Sequence, residues 1–193
     1  MTWSRYRAYV DESSVIHESM QEYRVCAVVV SDEQDNVVRE AVRPFLLRGQ
    51  VKFHWKIEPE RRRQSFLSVT TNQVFYAIVV CDRSASQRHH ERQRRKTLEL
   101  LYRELEARDV TQVTLESRTP SQDRLDVAHI AGLKSAGLFQ PFRLVHQRGG
   151  DEPILWISDV LLGAGNAVRK GDASYSSLLS QISVLELNTM GSD

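Results

Sequence analysis

At 193 residues, with 41% hydrophobic, 26% charged and 8% aromatic side chains, the chain has an ordinary globular composition, which excludes collagen-like, coiled-coil and wholly disordered proteins. Its 26 lysines and arginines against 25 aspartates and glutamates leave a net charge of +1, so total charge by itself points to no class of partner. The length suits one domain spanning 1–193, burying about 70% of the surface of its unfolded chain, and the two cysteines, Cys26 and Cys81, follow β-branched apolar runs as buried strand thiols rather than as a disulfide framework or zinc ribbon.

Residues 5 to 10, Arg-Tyr-Arg-Ala-Tyr-Val, alternate as a half-buried strand and stop at Asp11-Glu12-Ser13-Ser14, which predicts a polar turn. Residues 23 to 30, Tyr-Arg-Val-Cys-Ala-Val-Val-Val, predict a second strand whose apolar end is buried on both faces. Ser31 and Asp32 cap a helix reaching about Leu47, with Val37, Val38, Ala41, Val42 and Phe45 along one side; Pro44 bends it or ends it early. A basic and aromatic loop over 48–57 leads to Glu58-Pro59-Glu60, where an early proline opens a helix carrying Arg61, Arg62 and Arg63.

Val74 to Val80 predicts a third strand, Gln87 to Ala107 a long charged helix striped by Leu98, Leu101 and Leu105, and Val110 to Leu115 a fourth strand ending at Glu116. Pro120 starts a helix to about Ala136, Phe142 to Val145 forms a short fifth strand, and Pro153 begins a mostly apolar helix over Ile154 to Val168. Leu178 to Leu187 closes the chain as a helix or a strand. This order predicts a three-layer α/β domain, at the α+β boundary, around a mixed five-stranded sheet flanked by helices. Met1 to Val10 lacks the apolar centre of a secretory leader, and no apolar run approaches the ~18 residues a bilayer span needs. A soluble, cytoplasmic protein with no membrane partner is expected.

Asp159 is the only ionisable side chain between Pro153 and Val168, in a helix apolar nearly all round and therefore buried. A carboxylate there costs several kcal/mol unless it is paired or bound to a cation. An arginine, for example in the 91–95 segment, meets that requirement, and so does a metal ion. Asp11, doubled by Glu12, and Glu116 each sit where a strand is expected to end, and taken singly each is a turn or cap residue. Taken together, two acids at strand ends and one on a buried helix can converge where open α/β sheets collect ligands. Their all-oxygen donor set suits Mg²⁺ or Mn²⁺.

The run Ala-Tyr-Val-Asp-Glu-Ser at 8–13, followed by the strand at 23–30, resembles the opening of domain-of-unknown-function family 3800, whose fold is RNase H-like. The run Glu-Pro-Ile-Leu-Trp-Ile-Ser-Asp-Val-Leu-Leu-Gly-Ala at 152–164 is similar to that family's closing signature. Between them Lys52-Phe53-His54-Trp55, Glu91-Arg92-Gln93-Arg94-Arg95 and Leu115-Glu116-Ser117-Arg118 resemble segments of an actinobacterial-looking branch, so the likeness runs over roughly residues 6 to 187. It departs at Ser14, where a glycine is usual, and at Glu116, where many relatives carry aspartate and where the longer arm alters metal spacing.

The acid pattern, strand, strand, apolar helix, is the one used by RNase H-like nucleases. It implies a divalent-metal site at Asp11, Glu116 and Asp159 and metal-assisted phosphodiester hydrolysis, in which bound Mg²⁺ or Mn²⁺ lowers the pKa of the attacking water and stabilises the leaving oxygen. Glu12, His54 and Glu58 are further candidates for the chemistry, His54 as a phosphate-orienting or proton-shuttling group. Nucleic acid, DNA or RNA, is then the partner. Lys52, Arg61, Arg94, Arg95, Lys96 and Arg118 are the residues expected to hold its phosphates, against the alternative of a solvated helix face, and Trp55 either stacks a base or plugs the core. The other reading is a catalytically inactive module of the same fold that binds nucleic acid or a protein partner. No dinucleotide fingerprint or P-loop occurs, and His89 and His90, adjacent on a helix, diverge by about 100°.

Overall fold

The computed structural model describes residues 5–17, 20–84, 90–137 and 142–189. Strands β1 (Tyr6–His17) and β2 (Met20–Ser31) form a long antiparallel hairpin, in register from Tyr6 opposite Ser31 to His17 opposite Met20. The turn expected at residues 11 to 14 is therefore strand. Core burial sustains β1 only as far as Val10, and beyond it pairing with β2 satisfies the backbone and lets polar residues continue the strand. Ser31 then caps α1 (Asp32–Val42), accepting from the Gln34 N–H at 3.3 Å. Pro44 ends the helix in a single 3₁₀ turn, Arg43–Phe45.

After the loop, α2 (Glu60–Thr70) leads to β3 (Tyr76–Ser84), which pairs antiparallel with β2. Helix α3 (His90–Glu106), strand β4 (Val110–Glu116), helix α4 (Pro120–Ser135), strand β5 (Arg143–Gln147) and helix α5 (Ile154–Arg169) follow. The expected beginning of α3 at Gln87, with Arg88 and His89, lies outside the described residues. Among the described residues the sheet has six strands, not five, in the order β5-β4-β1-β2-β3-β6. The closing segment divides into a one-turn helix, α6 (Ser176–Leu179), and β6 (Val184–Asn188), which pairs parallel with β3. Period-2 alternation of Leu185 and Leu187 in 184–188 suits an edge strand with one face on the core.

Alternation along β2 divides the core between two layers. Cys26, Val28 and Val30 face α5, α1 and α2, packing with Trp156, Phe53 and Phe66, while Val25, Ala27 and Val29 face α3 through Leu98, Leu101 and Leu105. Cys26 and Cys81 are free and buried. Arg39 ties the start of α5 to α1: its guanidinium meets Asp35 at 2.8 Å and Glu152 at 3.0 Å, and Glu152 in turn accepts from the Ile154 N–H at 3.1 Å. Among the described residues no helix is long and apolar enough to cross a membrane.

Candidate functional site

The parallel ladder between β1 and β4 ends at the pair Val10 and Leu115. The next residue on each strand is acidic, so Asp11 and Glu116 leave the ladder side by side. Helix α5 is docked on β1 one residue earlier, where the Ser158 hydroxyl donates to the Tyr9 carbonyl at 2.8 Å, and this brings Asp159 to the same place. Asp11, Glu116 and Asp159 line one cleft of about 370 Å³ together with Lys52 and His54. Asp11 is thus not at a strand end, as expected, but at the end of a shared ladder.

Each of these three carboxylates spends one oxygen on a protein donor. Asp11 Oδ1 accepts from the Glu12 N–H at 2.8 Å, Glu116 Oε1 from Lys52 Nζ at 2.5 Å, and Asp159 Oδ2 from both the Trp55 N–H at 2.7 Å and His54 Nδ1 at 2.8 Å. The second oxygen of each has no hydrogen-bond partner among the described residues. Burial pushes the Asp11 carboxyl well above the usual carboxylate range, and the charges of Asp159 and then Glu116 add to the rise. Lys52 is the group that answers them. Burial alone would lower its ammonium, but the Glu116 hydrogen bond and the charges of Glu116, Asp11 and Asp159 raise it above its ordinary value.

Two glycines let the loops approach. Trp55 carries the N–H that meets Asp159, and its ring lies on Gly163, where a Cβ would overlap the indole. A Cβ at Gly149 would likewise overlap Glu116 and the Lys52 chain. Trp55 is 9% exposed and packs edge-on against Tyr175 at 4.9 Å, with the Arg63 guanidinium 4.6 Å from its ring centre. It packs into the core at the edge of the cleft.

Glu12 also borders the cleft, but its carboxylate is taken up by Tyr23, by Arg94 Nε at 2.8 Å and by Arg118 Nε at 3.7 Å. Several other expected residues lie elsewhere. Arg94, expected to hold phosphate, is 3% exposed and bridges Glu12 to Asp126. Its position was readable: Arg94, Leu98, Leu101 and Leu105 form one stripe at helical spacing, so Arg94 faces inward. Arg118 is taken up by Asp126 at 3.3 Å, and Lys96 by the buried Asp82 at 3.1 Å. Glu58 is buried against Arg62 and Gln50, away from the cleft. Arg61 and Arg95 are on the surface, Arg95 beside Glu91 at 3.7 Å. The cations at the cleft besides Lys52 are Lys56 and Lys170, which composition did not single out.

Asp123, Asp126 and His146 form a second group with metal-ligand chemistry, their ligand atoms within 4.8 Å of one another. Its charge is already met: Asp126 takes Arg94, Arg118 and His146 Nε2 at 3.1 Å, and Asp123 takes the Arg118 N–H at 2.9 Å. Although burial raises the Asp126 carboxyl, those hydrogen bonds and charges hold it below its ordinary value. The Asp11 group is the reverse case, each acid keeping one oxygen free. Its donor set is all oxygen, the chemistry that suits a hard divalent cation, although its ligand atoms, unlike those of the Asp123 group, do not all lie within 4.8 Å of one another.

No protein-family model matches the chain, and no curated protein matches it. Among solved structures it is similar to a chain in the PCNA:RNase HII complex from Archaeoglobus fulgidus, at 16% identity and a TM-score of 0.52, over 90% of this chain and 78% of that one. That likeness and the mixed six-stranded sheet flanked by helices show an RNase H-like fold.

Proposed function

We propose that the chain is a divalent-metal-dependent nuclease, hydrolysing phosphodiester bonds of nucleic acid with Mg²⁺ or Mn²⁺ held by Asp11, Glu116 and Asp159, and that it belongs with the family 3800 proteins it resembles in sequence. The observation that carries this reading is the set of three carboxylates from three elements, each keeping one oxygen free, around one cleft. The name of the solved structural neighbour, a ribonuclease, agrees with it.

A bound divalent ion would polarise the phosphodiester and lower the pKa of an attacking water. The protein's own groups have distinct tasks. The Trp55 N–H and His54 fix the orientation of Asp159, and His54, half-buried at the cleft, is placed to exchange a proton there. Lys52, Lys56 and Lys170 offer charge to the phosphates on either side of the broken bond. The test is calorimetric Mn²⁺ titration of wild type and Asp11→Asn into the millimolar range, followed by cleavage of single-stranded DNA, RNA and an RNA–DNA hybrid. Saturable metal binding and cleavage, both lost in the variant, sustain the proposal; identical titrations of the two folded proteins overturn it.

One observation favours a second reading. Lys52 already places a cation on Glu116 and within the field of the other two acids. In a binding module without catalysis that ammonium is the permanent counter-ion of the cluster, and nucleic-acid or protein binding needs no metal.

A further inference from the structure

On the same side of the sheet, a second cavity of about 290 Å³ lies between α5, β2, β3 and the closing α6–β6 segment. Its walls are aliphatic: Val79 from the sheet, Leu161 from α5, and Leu179 and Ile182 from the closing segment. Its volume is roughly twice the 150 Å³ that accommodates benzene in an apolar protein cavity. One end is cationic. Arg24 and Arg169 both line it, and Arg24 is 4% exposed, next to the apolar run Val25 to Val30 of β2.

Arg24 Nε donates to Glu22 at 2.6 Å, and Nη2 meets the same carboxylate, while Nη1 has no partner among the described residues. Glu22 is shared further, accepting from Cys81 Sγ at 3.1 Å with Arg83 at 3.7 Å. Arg169 has no carboxylate within 4.0 Å among the described residues, and its guanidinium donates to Asn166 at 2.6 Å. Desolvation and the charge of Arg24 hold the Arg169 guanidinium below its ordinary value, against the opposing charges of Glu22 and Glu186. Glu186, at the cavity wall, makes no ion pair with either arginine.

We propose that this cavity is a binding site for a small amphiphilic anion, with a two-ring-sized apolar body on Leu161, Leu179 and Ile182 and an oxyanion head, carboxylate or phosphate, between Arg24 and Arg169. Guanidinium groups take both heads in a bidentate fashion. Aliphatic walls with a few convergent polar groups are the usual make-up of a small-molecule pocket. The site is separate from the carboxylate cleft and does not depend on metal there.

The test is calorimetric titration of the full chain, in chelator, with 2-naphthoate, 2-naphthyl phosphate and the neutral 2-naphthalenemethanol. Saturable binding of at least one anion, ten-fold or more tighter than the alcohol, is expected; the tighter of the two anions identifies the head. Arg169→Gln, at an exposed helix end, should weaken it ten-fold or more with an unchanged circular-dichroism spectrum, and Ile182→Trp should block it by filling the cavity. If Ile182→Trp fails to fold, Arg169→Gln decides alone. No saturation by wild type, equal affinity for the alcohol, or binding unmoved by Arg169→Gln overturns the proposal.

Discussion

The Trp55 indole lies directly on Gly163, one helical turn beyond Asp159, and the Trp55 N–H donates to Asp159 Oδ2 at 2.7 Å. One residue thus both plugs the core and orients an acid of the cleft, and it does so only because no side chain stands at 163. Gly163→Ala is expected to lift the ring from α5, costing about 1–3 kcal/mol as overpacking. The loss of the Trp55 hydrogen bond should also weaken Mn²⁺ binding. Urea unfolding and calorimetry on the same preparation check both; an unchanged stability would contradict the contact.

Asp11 sets a pH dependence. Its folded carboxyl titrates above the ordinary value, chiefly through burial and then through Asp159 and Glu116. The folded state therefore holds the Asp11 proton more tightly than the unfolded chain does. That contribution to stability is complete below the ordinary carboxylate range and is lost as pH rises through the raised folded value. Urea unfolding of the metal-free protein from pH 4 to 8 should show wild type losing stability relative to Asp11→Asn, which has nothing to titrate there. Metal should reverse the order at neutral pH, since saturation at a hundred times Kd stabilises wild type by about 2.7 kcal/mol.

The three acids were legible because each breaks an apolar pattern: Asp11 and Glu116 follow strand runs, and Asp159 interrupts a helix with nine buried residues. The layer order was legible from the same periods. What composition could not show is direction. Arginines crowd residues 92–95, and only the phase of the stripe through Leu98, Leu101 and Leu105 separates the buried Arg94 from the exposed Arg95. Asp126 carries the same kind of signal, standing four and seven residues before Ile130 and Leu133 on the inner face of α4. The long hairpin was hidden for a different reason: beyond Val10 the pairing of β1 with β2, a non-local contact, overrides the turn propensity of Asp11-Glu12-Ser13-Ser14.

Arg94 and Arg95 accordingly predict opposite outcomes. Arg94→Gln removes the buried cation between Glu12 and Asp126, leaving them only the longer contacts to Arg118, and about 3–5 kcal/mol of stability should be lost. Arg95→Gln removes a half-exposed side chain from a 3.7 Å pair and should stay within about 0.5 kcal/mol of wild type. Paired thermal and urea unfolding separates them; equal effects would remove the bridging role from Arg94.

Lys52→Met distinguishes the two functional readings. The Lys52 ammonium occupies Glu116 Oε1 and is raised by all three acids, so it competes with any divalent ion for the same charge. In a metal site, removing it should tighten Mn²⁺ binding by roughly ten-fold, about 1.4 kcal/mol. Cleavage should nonetheless fall, because the same side chain is the cleft's deepest cation for a substrate phosphate. In a metal-free binding module Lys52 is the cation paired directly with the acids, and Lys52→Met should instead lose stability with no saturable Mn²⁺ isotherm. Calorimetry, unfolding and a cleavage assay on this one variant therefore give opposite signs for the two readings, and a variant with unchanged metal affinity and unchanged stability would sink the coupling of Lys52 to the carboxylates in either.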